Sequence, residues 1–88
     1  MSKLYLHIKH ADSMILDTEG KMFADLYEAS EEALDSLREI VAKALLSRNA
    51  RIPHGISICA EDGTILREIA VDRAIPEIAQ RLRSIGAG

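Results

Sequence analysis

The stretch from Asp25 to Arg48 constrains the fold more than any other part of this chain. Leu26, Ala29, Ala33, Leu34, Leu37, Ile40, Val41, Ala44 and Leu45 recur at spacings of three and four, while Glu31, Glu32, Asp35, Arg38, Glu39 and Lys43 fall largely between them. An α-helix gathers the first set into one apolar stripe and the second into a solvated face. Asp25 is an N-cap candidate with Glu28 three positions on, the acidic variant of a capping box. Acids crowd the first turns, Lys43 and Arg48 stand near the end where the helix dipole favours cations, and Asn49 suits the C-terminal cap. A long helix with one apolar face must bury that face, so the flanking sequence has to supply a matching surface.

The flanks read as strands. In "KLYLHIK", Leu4, Leu6 and Ile8 alternate with Tyr5, His7 and Lys9, the period of two expected of a half-buried strand. A second short apolar run, Met14 to Leu16, follows the polar "HADS", and Thr18-Glu19-Gly20 interrupts before "KMFA"; a first hairpin is expected, its second strand near Met14 to Leu16 with a continuation to Phe23. After the helix, Pro53 and Gly55 mark a loop. Ile56, Ile58 and Ala60 then alternate with Ser57 and Cys59, and Ile65, Leu66, Ile69 and Val71 lie beyond Asp62-Gly63. Asp-Gly between apolar runs predicts a second hairpin. Its register has two solutions: a two-residue turn pairs Ala60 with Ile65, and a three-residue turn with Gly63 in a bulge shifts the facing set by one. Pro76 then opens a short amphipathic helix carrying Ile75, Ile78, Ala79, Leu82 and Ile85 and ended by Gly86. The expected architecture is α+β: a two-layer sandwich of order β-β-α-β-β-α, with one long helix packed on a four-stranded, mostly antiparallel sheet.

At 88 residues the chain is sized for one domain, residues 1–88, and its 48% hydrophobic and 28% charged residues are those of a globular protein. Aromatic residues make up only 3%, namely Tyr5, Phe23 and Tyr27, so the core must be aliphatic and thin. Such a domain gains from hiding a further apolar face against a partner, and a homodimer is the expected state. The net charge of −3 disfavours bulk electrostatic binding of nucleic acid. The single cysteine, Cys59, cannot close an internal disulfide, no apolar run approaches the ~18 residues of a membrane span, and the N-terminus lacks a signal-peptide core. A reducing cytoplasm is the expected location, with no membrane contact.

No residue pattern specifies a reaction, and neither a cofactor nor a metal is expected. The acidic-glycine stretches at Gly20 and Gly63 fail the calcium-loop template: with either glycine at the sixth position, the first and twelfth positions hold Ile15 and Leu26, or Ile58 and Ile69. Both read as turns with solvated acids. His7 and His10 sit three apart on an extended strand and point to opposite faces, so a metal site would need His54 or Cys59 as well. Cys59 lacks a nucleophile motif and reads as a small buried hydrophobe. Two surface groups remain. Tyr5, His7 and Lys9 share one strand face, an aromatic beside basic groups of the kind that stacks bases, although stacking platforms normally carry more than one ring. Arg48 and Arg51, with His54, Arg73, Arg81 and Arg83, form a second, scattered basic group. These make a nucleic-acid-binding regulator the alternative to a protein-interaction module, with an enzyme using His7, His54 and Cys59 ranked last.

The segments "YLHI", "ILDTEG", "DLYEASEEAL" and "AEDGTIL" together resemble a family of short bacterial proteins, mainly alphaproteobacterial, grouped only as a domain of unknown function. The resemblance spans about residues 3 to 71. It departs from the family at Ala11-Asp12-Ser13, which lacks a glycine often found there, and the segment from Pro76 lies beyond it. Membership implies a small cytosolic α+β protein without assigned chemistry, so it carries over no functional residue.

Overall fold

The computed structural model describes residues 1–47 and 51–74. Five strands, β1 (Ser2–Lys9), β2 (Met14–Ile15), β3 (Lys21–Phe23), β4 (Gly55–Cys59) and β5 (Ile65–Ala70), surround one long helix, α1 (Leu26–Leu46), and a short α2 (Val71–Ala74) follows. All strand pairs are antiparallel, in the order β2-β1-β4-β5, with β3 pairing β1 further along the same edge. The fold is therefore α+β with the helix between two hairpins. The run from Met14 to Phe23 is not one strand but two pieces, because Asp17 draws the chain between them into a loop tied to β1. Val71 opens α2 rather than closing β5. Asn49, Arg48 and the helix expected from Pro76 lie outside the described residues.

Helix α1 is capped at its start by Asp25, whose Oδ1 accepts the Glu28 backbone N–H at 2.8 Å. That satisfies one of the first-turn donors that have no partner within the helix. Ala29, Ser30, Ala33, Leu37, Val41 and Ala44 are its buried residues. The small alanines let the helix sit close, mainly on β4, β5 and β3. Leu45, expected in the apolar stripe, is instead exposed, and the helix ends at Leu46 with Ser47 as its C-cap. Against the stripe stand Leu4, Phe23, Ile56, Ile58 and Ile69. Cross-strand register explains why these share a side: Leu6 faces Ile58, Ile8 faces Ile56, and Ile56 faces Ile69, and directly opposed residues of an antiparallel pair project to the same face.

The β4–β5 hairpin uses both registers. At its tip the Gly63 N–H donates to the Ala60 carbonyl at 3.0 Å and the Ala60 N–H to the Thr64 carbonyl at 2.8 Å, with Gly63 at φ 93°. This is the longer turn. One bulge later, Cys59 faces Ile65 but Ile58 faces Arg67, so Leu66 is the extra residue. The bulge restores the pairing a two-residue turn would have set, and with it the inward orientation of Ile69 beside Ile56.

Candidate functional site

The face of the sheet turned away from α1 brings together most of the polar residues singled out in the sequence. Register places Tyr5 opposite Cys59, His7 opposite Ser57 and Lys9 opposite Gly55 on the central strand, and Ser57 opposite Glu68 on β5. The small central residues leave room for long flanking side chains to reach across them. Lys9 Nζ meets Glu68 Oε1 at 2.9 Å, and the Ser57 hydroxyl donates to the same oxygen at 3.2 Å. The hydrogen bond and charge of Lys9, with the Ser57 hydroxyl, hold the Glu68 carboxyl below the usual glutamate range. Tyr5 and His7 stack with ring centroids 6.4 Å apart, and Lys3 Nζ lies 5.9 Å from the Tyr5 centroid.

Cys59 is buried, and burial pushes its thiol up, with the Glu68 carboxylate adding to the effect; a thiolate nucleophile needs the opposite environment. Among the described residues no three of His, Cys, Asp and Glu come together as a metal-binding group. His7 is engaged elsewhere: its Nδ1 accepts the Asp17 backbone N–H at 3.0 Å. His54 meets the strands through its backbone, donating to the Lys9 carbonyl at 2.7 Å and accepting from the Val71 N–H at 2.8 Å. Arg51 pairs with Asp12 across the β1–β2 turn, and Arg48 lies outside the described residues. Of the expected basic group, His54 lines a pocket together with Lys9.

Two grooves flank α1 on the other face. On the β1–β2 side, Leu6, Ile8, Ile40 and Ile56 line an open groove of about 310 Å³ rimmed by Ser36, Glu39 and Lys43. Ile15, opposite Ile8, extends the apolar surface and is 55% exposed. On the β5 side, Tyr27, Ser30, Leu34, Arg67 and Ile69 line a groove of about 350 Å³ along the outer edge strand, with Glu31 and Glu68 also on its wall. One flank is aliphatic; the other holds a guanidinium.

A family model described as a domain of unknown function (DUF6894) matches residues 3–72. The chain belongs to that family. No curated protein and no solved structure matches it. The matched span covers β1 from Lys3 onward, the other four strands and α1. Among the described residues no helix is long and apolar enough to cross a membrane.

Sequence reading missed three residues that shape these surfaces. Asp17 was legible only as a turn acid, yet its carboxylate reaches β1. Glu68 became the partner of Lys9 only through register. Arg67 sits at an inward-facing position, a placement that could not be read while the hairpin register had two solutions.

Proposed function

We propose that this protein is a non-enzymatic interaction module that associates with a second copy of itself through the half of the apolar sheet face that α1 leaves open. The observation that carries the reading is the β1–β2 groove: Leu6, Ile8 and Ile40 line it, and Ile15 stands beside it more than half exposed. In a thin aliphatic core, one helix is too narrow to cover four strands about 4.8 Å apart, and a second apolar surface lowers the free energy by about 25 cal/mol per Å² of apolar area removed from water. The rim suits a two-fold partner. Glu39 and Lys43 face each other at 3.4 Å on the same helix, and an antiparallel copy of α1 presents the same two charges in reverse order, so each can exchange partners across the interface.

Light scattering at micromolar concentration tests this. The expected mass is that of two subunits, falling to one subunit in Ile15→Lys and Ile40→Lys with the circular dichroism unchanged. A single-subunit mass for the unaltered chain at those concentrations sinks the reading. Two of the expected carriers of nucleic-acid binding, Lys9 and Arg51, are paired with Glu68 and Asp12.

A further inference from the structure

The opposite flank of α1 combines three features that the self-association reading does not use. The first is an edge. Among the described residues β5 ends the sheet, and its pairing with β4 fixes which backbone groups face outward. The Ala60 N–H bonds the Thr64 carbonyl at one end and the Val71 N–H bonds the His54 carbonyl at the other. Hydrogen-bonded pairs alternate along an antiparallel ladder, so with the bulge at Leu66 the intervening bonded pairs are Ile58 with Arg67 and Ile56 with Ile69. Glu68 and Ala70 therefore turn their N–H and C=O away from β4, toward the open side.

The second feature is a cation without an acid. Arg67 projects to the helix face, where its Nη1 donates to the Ser30 hydroxyl at 3.1 Å. That hydroxyl in turn donates to the Leu26 carbonyl at 2.8 Å and is buried, so it is fixed as an acceptor and orients the guanidinium. Among the described residues, Arg51 and Arg38 each meet an aspartate, whereas Arg67 meets only this neutral group. Glu31 and Glu68 line the same groove, but neither forms an ion pair with it: Glu68 turns to Lys9 and Ser57 on the opposite face. The fork of a guanidinium matches a carboxylate through two parallel hydrogen bonds, and Ser30 occupies only part of its donor set. The third feature is an apolar wall: Tyr27, 69% exposed, with Leu34 and Ile69 beside the cation.

We infer that this groove binds an extended peptide that adds to β5 as a further antiparallel strand and places a carboxylate side chain on Arg67. Strand addition at an edge supplies affinity through backbone bonds and specificity through alternate side chains. Opposite Glu68 the incoming residue exchanges both backbone hydrogen bonds. Its two neighbours project toward α1, one against Ile69 and one against Arg67. In antiparallel direction the motif is an apolar residue, any residue, then aspartate or glutamate.

Fluorescence anisotropy of the full chain with a labelled peptide Thr-Thr-Val-Thr-Glu-Thr-Thr tests the inference. Saturable binding is expected, weakened about ten-fold or more by Arg67→Gln or by glutamine in place of the peptide's glutamate, as loss of a charge-assisted pair requires. It is expected to disappear on N-methylation of the central threonine, whose N–H faces β5. Tyr27→Ala weakens binding and leaves the thermal midpoint in place, which separates a docking role from a folding one. No saturation at about 1 mM peptide, a bound state too weak to matter at any cellular concentration, overturns the proposal. So does binding that Arg67→Gln leaves unchanged, or an Arg67→Gln change in subunit mass without peptide, which would make this edge the self-interface. Ile15→Lys, which breaks the β1–β2 interface, leaves the peptide affinity as it was, so the two readings fail separately.

Discussion

The loop at Asp17-Thr18-Glu19-Gly20 and the turn at Glu61-Asp62-Gly63 look alike in sequence, acids followed by a glycine between apolar runs, yet they perform different work. The second is local. The Asp62 Oδ1 accepts the Thr64 N–H at 2.9 Å, Gly63 closes the turn at φ 93°, and a Cβ on Gly63 would meet nothing within 4 Å. The first is tertiary. Asp17 Oδ1 accepts the N–H groups of Glu19 at 3.2 Å and Gly20 at 3.1 Å, while Oδ2 accepts the Leu6 N–H at 3.2 Å from β1. The backbone N–H of the same residue donates to His7. One carboxylate fills the gap between β2 and β3 by taking over a ladder position on β1. A Cβ on Gly20 would approach the Tyr5 ring to 2.9 Å and the Lys3 side chain to 3.1 Å. A turn that only reverses the chain is specified by its own residues, whereas a loop that completes a sheet edge depends on the strand it touches.

Removing the carboxylate should separate the two most. Asp17→Ala strands three backbone donors, one of them on a core strand, and is expected to cost about 3 kcal/mol in urea unfolding. Asp62→Ala, with one exposed donor freed to water, should fall within about 0.5 kcal/mol of the unaltered chain. Equal losses at the two sites would erase the distinction.

Glycine replacement gives the next largest contrast. Both glycines occupy the left-handed region, which costs a residue with a Cβ about 1 kcal/mol. Gly63→Ala should show only that. Gly20→Ala should cost about 2 kcal/mol, the increment coming from displacement of the Tyr5 ring. In a Tyr5→Ala background the excess should vanish, a double-mutant cycle that assigns it to the ring contact and not to the backbone.

The smallest expected effect is acid sensitivity. Partial burial pushes the Asp17 carboxyl up, but the N–H groups of Gly20, Leu6 and Glu19 together outweigh it and hold the group below its ordinary value of 3.8. The unfolded chain therefore takes up this proton first as pH falls. The contribution of Asp17 is whole above about pH 4 and is lost as pH drops through the lower folded-state value. Asp17→Asn should flatten the fall in urea midpoint between neutral pH and pH 3. An unchanged acid limb would assign that fall to the other carboxylates held low, such as Glu68 beside Lys9.

The outer sheet face shows why a candidate site can be partly legible. Alternation along "KLYLHIK" was enough to place Tyr5, His7 and Lys9 on one side, because a strand's period of two is a property of its own backbone. That Lys9 would meet Glu68, fifty-nine residues later, was not readable, because it depends on two registers, β1 with β4 and β4 with β5. The same holds for the helix. Its start at Asp25 and its buried alanines followed from capping and spacing, while the exposure of Leu45 and the half-covered state of Ile40 depend on how α1 is set on the strands.

What the residues alone determined is whatever local geometry enforces: a capped amphipathic helix, alternating strands on either side of it, and turns at Gly20 and Gly63. These follow from helical and extended periods and from the few residues that accept unusual backbone angles. Tertiary structure decided the rest. It tied Asp17 to β1, corrected the β4–β5 register with a bulge at Leu66, and set Arg67 against Ser30 beside an open edge. Each of these is a contact between segments far apart in the chain, and its energy exists only once a shared sheet and one overlying helix bring them within hydrogen-bonding distance.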